Sequence, residues 1–162
     1  MKTLIVCYSW HNGNTKRIAE MIHRKTGYDF CTIETVKPYP AEYRKASDQG
    51  KKETETGFKP EIKKLPYDID AYERIIVGTP TWWYTMAPAV LSFLDAHDFT
   101  GKTVVPFMTN AGWPGTVIKD MCAHAKGARI EHPKEILFDS DGGNQLITSE
   151  EEINAWIESL DC

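Results

Sequence analysis

Apolar residues gather in five short runs, at 4–8, 30–33, 75–77, 104–108 and 136–138, each of strand length. Between them the period changes to that of a helix. Residues 14–25 set Ile18, Ala19 and Ile22 on one face, with Gly27 as a stop. Residues 87–95 carry Val90, Leu91 and Leu94, and residues 116–126 carry Val117, Ile118, Met121 and Ala125 ahead of Gly127. The last helix is the clearest. Ser149-Glu150-Glu151-Glu152 is a capping box, and Ile153, Trp156, Ile157 and Leu160 form an i, i+3, i+4, i+7 stripe.

One stretch breaks the alternation. Residues 35–70 hold Pro38, Pro40, Pro60 and Pro66, and residues 44–64 are charged with little apolar periodicity. Residues 41–52 read as a polar helix with Tyr43 and Ala46 on its inner face, and the remainder as a surface excursion between strands two and three. No internal repeat or second domain interrupts residues 1–162. Strands alternating with helices predict an α/β fold, a doubly wound parallel sheet with right-handed crossovers in a three-layer α/β/α sandwich. Five strands favour the order 2-1-3-4-5. In that order the loops after strands 1, 3 and 4 meet at the carboxyl edge of the sheet, where ligands bind.

Those three loops carry the candidate chemistry. The first supplies Ser9, Trp10, His11, Asn12, Gly13, Asn14 and Thr15. It joins a strand to a helix, so its N–H groups converge on a helix amino end, which attracts an anion. Asn12-Gly13 readily takes positive φ, as a nest of N–H groups requires. A plain strand-to-helix turn capped by Asn14 is the simpler alternative. The second supplies Pro80, Thr81, Trp82, Trp83, Tyr84 and Thr85. Adjacent tryptophans cannot both enter the core from one element, so at least one is exposed or covers a ligand, and indole stacks well on a flat aromatic ring. The third supplies Asn110, Ala111, Gly112, Trp113 and Gly115, whose glycines let backbone approach a ring edge. Trp113 either walls that ring or pins the loop.

Composition narrows the reading. The chain of 162 residues has a formal charge of -4, with 41% apolar and 26% charged residues. The acidic balance argues against nucleic acid as a partner. No run approaches the roughly 20 apolar residues of a membrane span, and the run at 4–8 is too short for a signal sequence. Cys7, Cys31, Cys122 and Cys162 form no C-x-x-C, so reduced thiols in a cytoplasmic protein are expected. The histidines at 11, 23, 97, 124 and 132 lack metal-ligand spacing. Asp139-Ser140-Asp141-Gly142-Gly143 lacks the glycine of a calcium loop and reads as a solvated turn. The first loop has no Walker lysine and no G-x-G-x-x-G. Ser9 and Thr79 stand where a receiver domain needs carboxylates.

Read together, these residues carry a resemblance. Tyr8-Ser9, then Gly13-Asn14-Thr15-Lys16 and Ile18-Ala19, resembles the phosphate loop of flavodoxins. Gly78-Thr79-Pro80-Thr81-Trp82-Trp83, then Met86, Pro88, Phe93-Leu94, Phe99-Thr100-Gly101-Lys102 and Pro106-Phe107, is similar to that family's later loops. Pro38-Tyr39-Pro40 and Tyr43 resemble a subgroup with a tyrosine-containing excursion. The resemblance implies a flavodoxin-like fold and noncovalent FMN. It implies that Ser9, Asn14 and Thr15 hold the phosphate with the amides of His11 to Gly13. Thr81 and Trp82 or Trp83 would contact the isoalloxazine, and residues 110–113 would close its other side. Two departures stand out: an extra residue at His11-Asn12, and Tyr84 where relatives often carry the glycine whose peptide flip stabilises the neutral semiquinone. A costlier flip is therefore expected.

Two functions follow as expectations. One is an electron carrier serving a redox partner protein, with an acidic surface steering basic partners. The other is an FMN-dependent oxidoreductase using NAD(P)H and a small acceptor such as a quinone. A flavin-free domain of the same fold is a third reading. A monomer or weak homodimer, with no membrane or nucleic acid partner, is expected.

Overall fold

The computed structural model describes residues 1–10, 13–141 and 143–161. The chain runs β1 (Thr3–Cys7), α1 (Asn14–Thr26), β2 (Asp29–Thr32), α2 (Tyr43–Thr56), a 3-10 turn (Ile69–Ala71), β3 (Arg74–Trp82), β4 (Thr85–Met86), α3 (Pro88–Asp95), β5 (Thr103–Asn110), α4 (Val117–His124), β6 (Arg129–Ile130), β7 (Lys134–Leu137) and α5 (Glu150–Ser159).

The parallel sheet is ordered β2-β1-β3-β5-β6, with β7 also on β5. This is the expected 2-1-3-4-5 order with its fifth strand in two pieces. β6 pairs with Thr103 and Val104, and β7 pairs with the stretch from Phe107 to Asn110. Glu131 N–H still donates to the Val104 carbonyl, but the ladder stops there: His132 has a φ of 50° and Pro133 has no N–H to donate. The short β4 is a further departure. It folds back antiparallel on β3, pairing Thr81 with Met86 and Trp82 with Thr85.

Alternation along β1 splits the core into the two layers of a doubly wound fold. Leu4 and Val6 face a cluster with Ile75, Val77, Phe93 and Met121 beneath α3 and α4. Ile5 and Cys7 face a second cluster with Ile18, Ile22, Phe107 and Trp156 beneath α1 and α5. Burial pushes the Cys7 thiol up to about 12 and the Cys31 thiol to about 11, so both stay protonated as packing groups. Phe107 fills its space only because residue 78 lacks a side chain, since a Cβ there would lie 2.2 Å from its ring.

Capping agrees with the sequence at α5, where Ser149 Oγ accepts from the N–H of Glu152. At α1 it differs. Gly13, not Asn14, is the N-cap, with a φ of 72°, and Asn14 is the first helical residue. That frees the Asn14 side chain for another role. At the amino edge of the sheet the buried Arg74 donates to Thr3 Oγ1, the Leu160 carbonyl and the Tyr28 hydroxyl. It thereby fastens β3 to β1 and to the end of α5. Among the described residues no helix is long and apolar enough to cross a membrane.

Candidate functional site

A cleft of about 360 Å³ opens at the carboxyl edge of the sheet, within the roughly 300–1,000 Å³ of small-molecule sites. All three candidate loops reach it. Trp10, Asn14 and Thr15 come from the first, Pro80, Thr81, Trp82 and Trp83 from the second, and Asn110 and Ala111 from the third.

At the first loop, positive φ at Gly13 turns the chain into α1, and Lys16 N–H donates to Ser9 Oγ at 3.2 Å. Ser9 is thus a local brace of the helix start. Asn14 and Thr15 line the cleft, so the amino end of α1 is directed at it. Asn14 Nδ2 donates to the Gly143 carbonyl at 2.9 Å, while its buried Oδ1 has no partner among the described residues. His11 and Asn12 lie outside the described residues.

Thr109 binds the three loops together. Its hydroxyl lies 2.9 Å from that of Thr15, and its carbonyl accepts from Thr81 Oγ1 at 2.9 Å. Asn110 braces its own loop: Nδ2 reaches the Ile136 carbonyl at 3.2 Å and Oδ1 accepts from the N–H of Gly112 at 2.8 Å.

The second loop is a tight hairpin whose central residues, Trp83 and Tyr84, have φ of 50° and 68°. Positive φ at both positions is what a two-residue hairpin requires and what Asn-Gly usually supplies. Bulky residues there store strain of order 1–2 kcal/mol each. The hairpin is held from outside: Trp83 Nε1 donates to the Ser47 carbonyl at 2.9 Å, and Lys51 Nζ lies 5.3 Å from the Trp83 ring centroid.

Besides Ser9 and Gly13, five of the described candidates fall outside the cleft lining. Tyr84 and Trp113 are each 58% exposed. Thr85 Oγ1 donates to Asp120 Oδ2 at 2.6 Å, tying β4 to α4. Gly112 serves the Asn110 turn. Gly115 packs against the backbone of Tyr84, where a Cβ would come within 2.2 Å of the carbonyl oxygen.

The structure also brings in residues that the sequence reading left outside the site. Tyr43, Ala46, Ser47 and Gly50 of α2 form one wall, with Tyr43 5.9 Å from Trp10 at a tilt of 30°. The 35–70 excursion is therefore a cover for the cleft. Its stripe of small residues is the signal, because Gly50 admits Trp82 so closely that a Cβ there would lie 2.9 Å from the ring. Thr109, Phe138, Asp139 and Gly143 complete the lining. The turn expected to be solvated is part of the site: Asp139 accepts from the N–H groups of Gly143 and Gln145, fixing the carbonyl that Asn14 uses. Among the described residues no three His, Cys, Asp or Glu side chains gather to hold a metal.

The model of the family described as Flavodoxin matches residues 2–160. Flavodoxin 1 of Escherichia coli (strain K12) is 26% identical over 99 residues, which are 59% of this chain and 42% of that protein, so the match spans under half the length of the curated relative. A flavoprotein of Lactobacillus acidophilus NCFM, solved in complex with FMN, superposes with a TM-score of 0.72 at 26% identity, over 96% of this chain and 97% of that one. A Bacteroides uniformis ATCC 8492 protein superposes with a TM-score of 0.77 at 25% identity, over 97% of each chain.

Proposed function

The chain belongs to the flavodoxin family, and from that premise we propose that it holds FMN in the cleft and carries electrons to and from a redox partner protein. One observation carries the reading: a helix amino end suited to a phosphate and an aromatic-walled slot share a single cleft. A mononucleotide flavin has both parts, and the similar flavoprotein of Lactobacillus acidophilus is seen in complex with FMN.

The donor set suits that ligand. The amino end of α1, with Asn14 and Thr15 in its first turn, favours an anion. Asn14 Oδ1, a buried acceptor without a partner among the described residues, suits a hydroxyl of the sugar-like chain. Trp10, Trp82, Trp83 and Tyr43 offer faces and edges to a planar ring. Bound there, FMN supplies the acceptance and return of electrons. The chain's part is to bind, orient and exclude water. Asp139 stiffens the turn that carries the Gly143 carbonyl, and so holds Asn14 in place.

The cover favours a carrier over an NAD(P)H oxidoreductase. The hydrogen bond from Trp83 to Ser47 and the lysine over its ring hold α2 against the slot. Protein thus fills space that a second planar substrate needs. FMN titration followed by fluorescence quenching tests the first part, and a chain that ignores FMN overturns it. Anaerobic mixing of the yellow complex with NADPH tests the second. Slow or absent bleaching is expected, and rapid bleaching would move the reading to an oxidoreductase.

A further inference from the structure

Trp82 stands at the hub of a ring cluster that runs from the cleft wall into the protein. Its ring centroid lies 6.1 Å from Trp10, 5.9 Å from Tyr8 and 5.0 Å from Tyr39, each edge-on. Trp10 and Trp82 line the cleft, whereas Tyr39 is outside the lining and packs, half-buried, against the core.

The far end of this path has an unusual partner. The Tyr39 hydroxyl donates to Glu53 Oε1 at 2.7 Å, and Gln49 Nε2 donates to Glu53 Oε2 at 2.8 Å. Glu53 is only 8% exposed. A buried carboxylate is costly unless hydrogen-bonded, and an apolar residue in its place would often cost less. Two other tyrosines donate to carboxylates, Tyr28 to Asp161 and Tyr72 to Asp29. Among the described residues neither has a tryptophan ring beside it. Of these three tyrosines, Tyr39 is the one that combines an adjacent indole with a hydrogen-bonded carboxylate.

We propose that Trp10, Trp82 and Tyr39 form a relay that carries a one-electron oxidation from the cleft wall to Tyr39, with Glu53 receiving the phenolic proton. A small oxidising radical that reaches the cleft takes one electron from Trp10 or Trp82, is itself reduced to its anion, and leaves an indole radical cation. An electron from Tyr39 restores the indole. The Tyr39 O–H bond breaks in the same step, and its proton crosses to Glu53 Oε1. The oxidant has gained one electron, Tyr39 is a neutral phenoxyl radical and Glu53 a neutral acid. The reverse transfer returns every group to its starting state.

The resting state fits this sequence. Burial, the Glu53 hydrogen bond and the nearby negative charge all push the Tyr39 phenol above its ordinary range. The proton therefore stays on Tyr39 until an electron leaves. The relay is a property of the polypeptide and needs no bound group. Its use, draining oxidising equivalents from the tryptophans that wall a redox site, rests on the function proposed above.

Pulse radiolysis of the purified chain without added cofactor tests it, with azidyl radical as the oxidant because it attacks tryptophan in preference to tyrosine. Decay of the tryptophanyl absorption should match growth of the tyrosyl absorption, at a rate independent of protein concentration. Tyr39→Phe should lose that growth and Tyr28→Phe should keep it. Glu53→Gln still accepts a hydrogen bond but cannot take the proton. It should slow the growth and abolish the solvent deuterium isotope effect expected of the unmodified chain, a readout that a merely structural role would not move. Paramagnetic resonance of the frozen unmodified chain gives a test that needs no variant, and a phenoxyl signal is expected. The proposal is overturned by a tryptophanyl signal alone, or by unchanged tyrosyl growth in Tyr39→Phe or Glu53→Gln. A chain that shows the relay but refuses FMN keeps this proposal and loses the function. One that binds FMN without the relay does the opposite.

Discussion

The hydroxyls of Thr15 and Thr109 lie 2.9 Å apart, one on the first turn of α1 and the other near the end of β5. Both residues are almost fully buried. Because the Thr109 carbonyl also holds Thr81, the floor of the cleft is a single hydrogen-bonded unit drawn from three loops far apart in sequence.

Thr109→Val keeps the shape of the side chain and leaves the Thr15 hydroxyl buried without its partner. A loss of about 1–3 kcal/mol in stability is expected, read from urea denaturation. FMN affinity should fall as well, since Thr15 lines the cleft. Thr109→Ser should retain both, and an unchanged Thr109→Val would show that the pair bears no load.

Asn14→Asp places a carboxylate where the phosphate is expected. At a partly shielded site the repulsion is on the order of 1–3 kcal/mol. FMN binding should weaken by that amount while riboflavin binding changes little. Equal losses for both ligands would place the phosphate elsewhere.

Tyr84→Gly relieves a strained backbone at small cost in contacts, because the side chain is largely exposed. Stabilisation of about 1 kcal/mol is expected, or a rise in Tm of about 2–4 °C for a chain of this size. Trp83→Gly should not share the gain, since it removes the bond to Ser47 and the contact with Lys51. Scanning calorimetry of the two variants decides the matter.

Asp95 provides a test against pH. Burial disfavours its charge, but the hydrogen bonds from His124 and Lys59 outweigh that and hold its carboxyl below the usual range. With the folded value depressed, its contribution is complete above the unfolded value of about 4 and is lost as pH falls through the lower folded value. Denaturation midpoints measured across this acid range should fall less steeply in Asp95→Asn than in the unmodified chain.

The parts legible in the sequence share a physical cause. β1, β3 and β5 are covered on both faces, so they appear as uninterrupted apolar runs. α5 announces itself because its cap and its stripe agree. The hidden parts break a local rule. Nothing in Trp83-Tyr84 signals a two-residue turn, because the positive φ that Asn-Gly would supply is imposed there on bulky side chains. The fifth strand carries Lys134 and Glu135 where it pairs with β5, and is split by His132 and Pro133. α2 reads as a polar helix because its inward face is Ala46, Gly50 and Glu53, two small residues and a carboxylate whose partners lie outside the stripe or outside the helix. Thr109 and Gly143 act through hydrogen bonds to distant loops, which no local pattern encodes.

Arg74 holds residue 3 and residue 160 at the amino edge of the sheet, and the cleft opens at the opposite edge. A tether joined at either of these points would leave the mouth of the cleft facing solution. Attachment to an electrode through either point is thus compatible with an open cleft, because one guanidinium fixes both at the far side of the sheet.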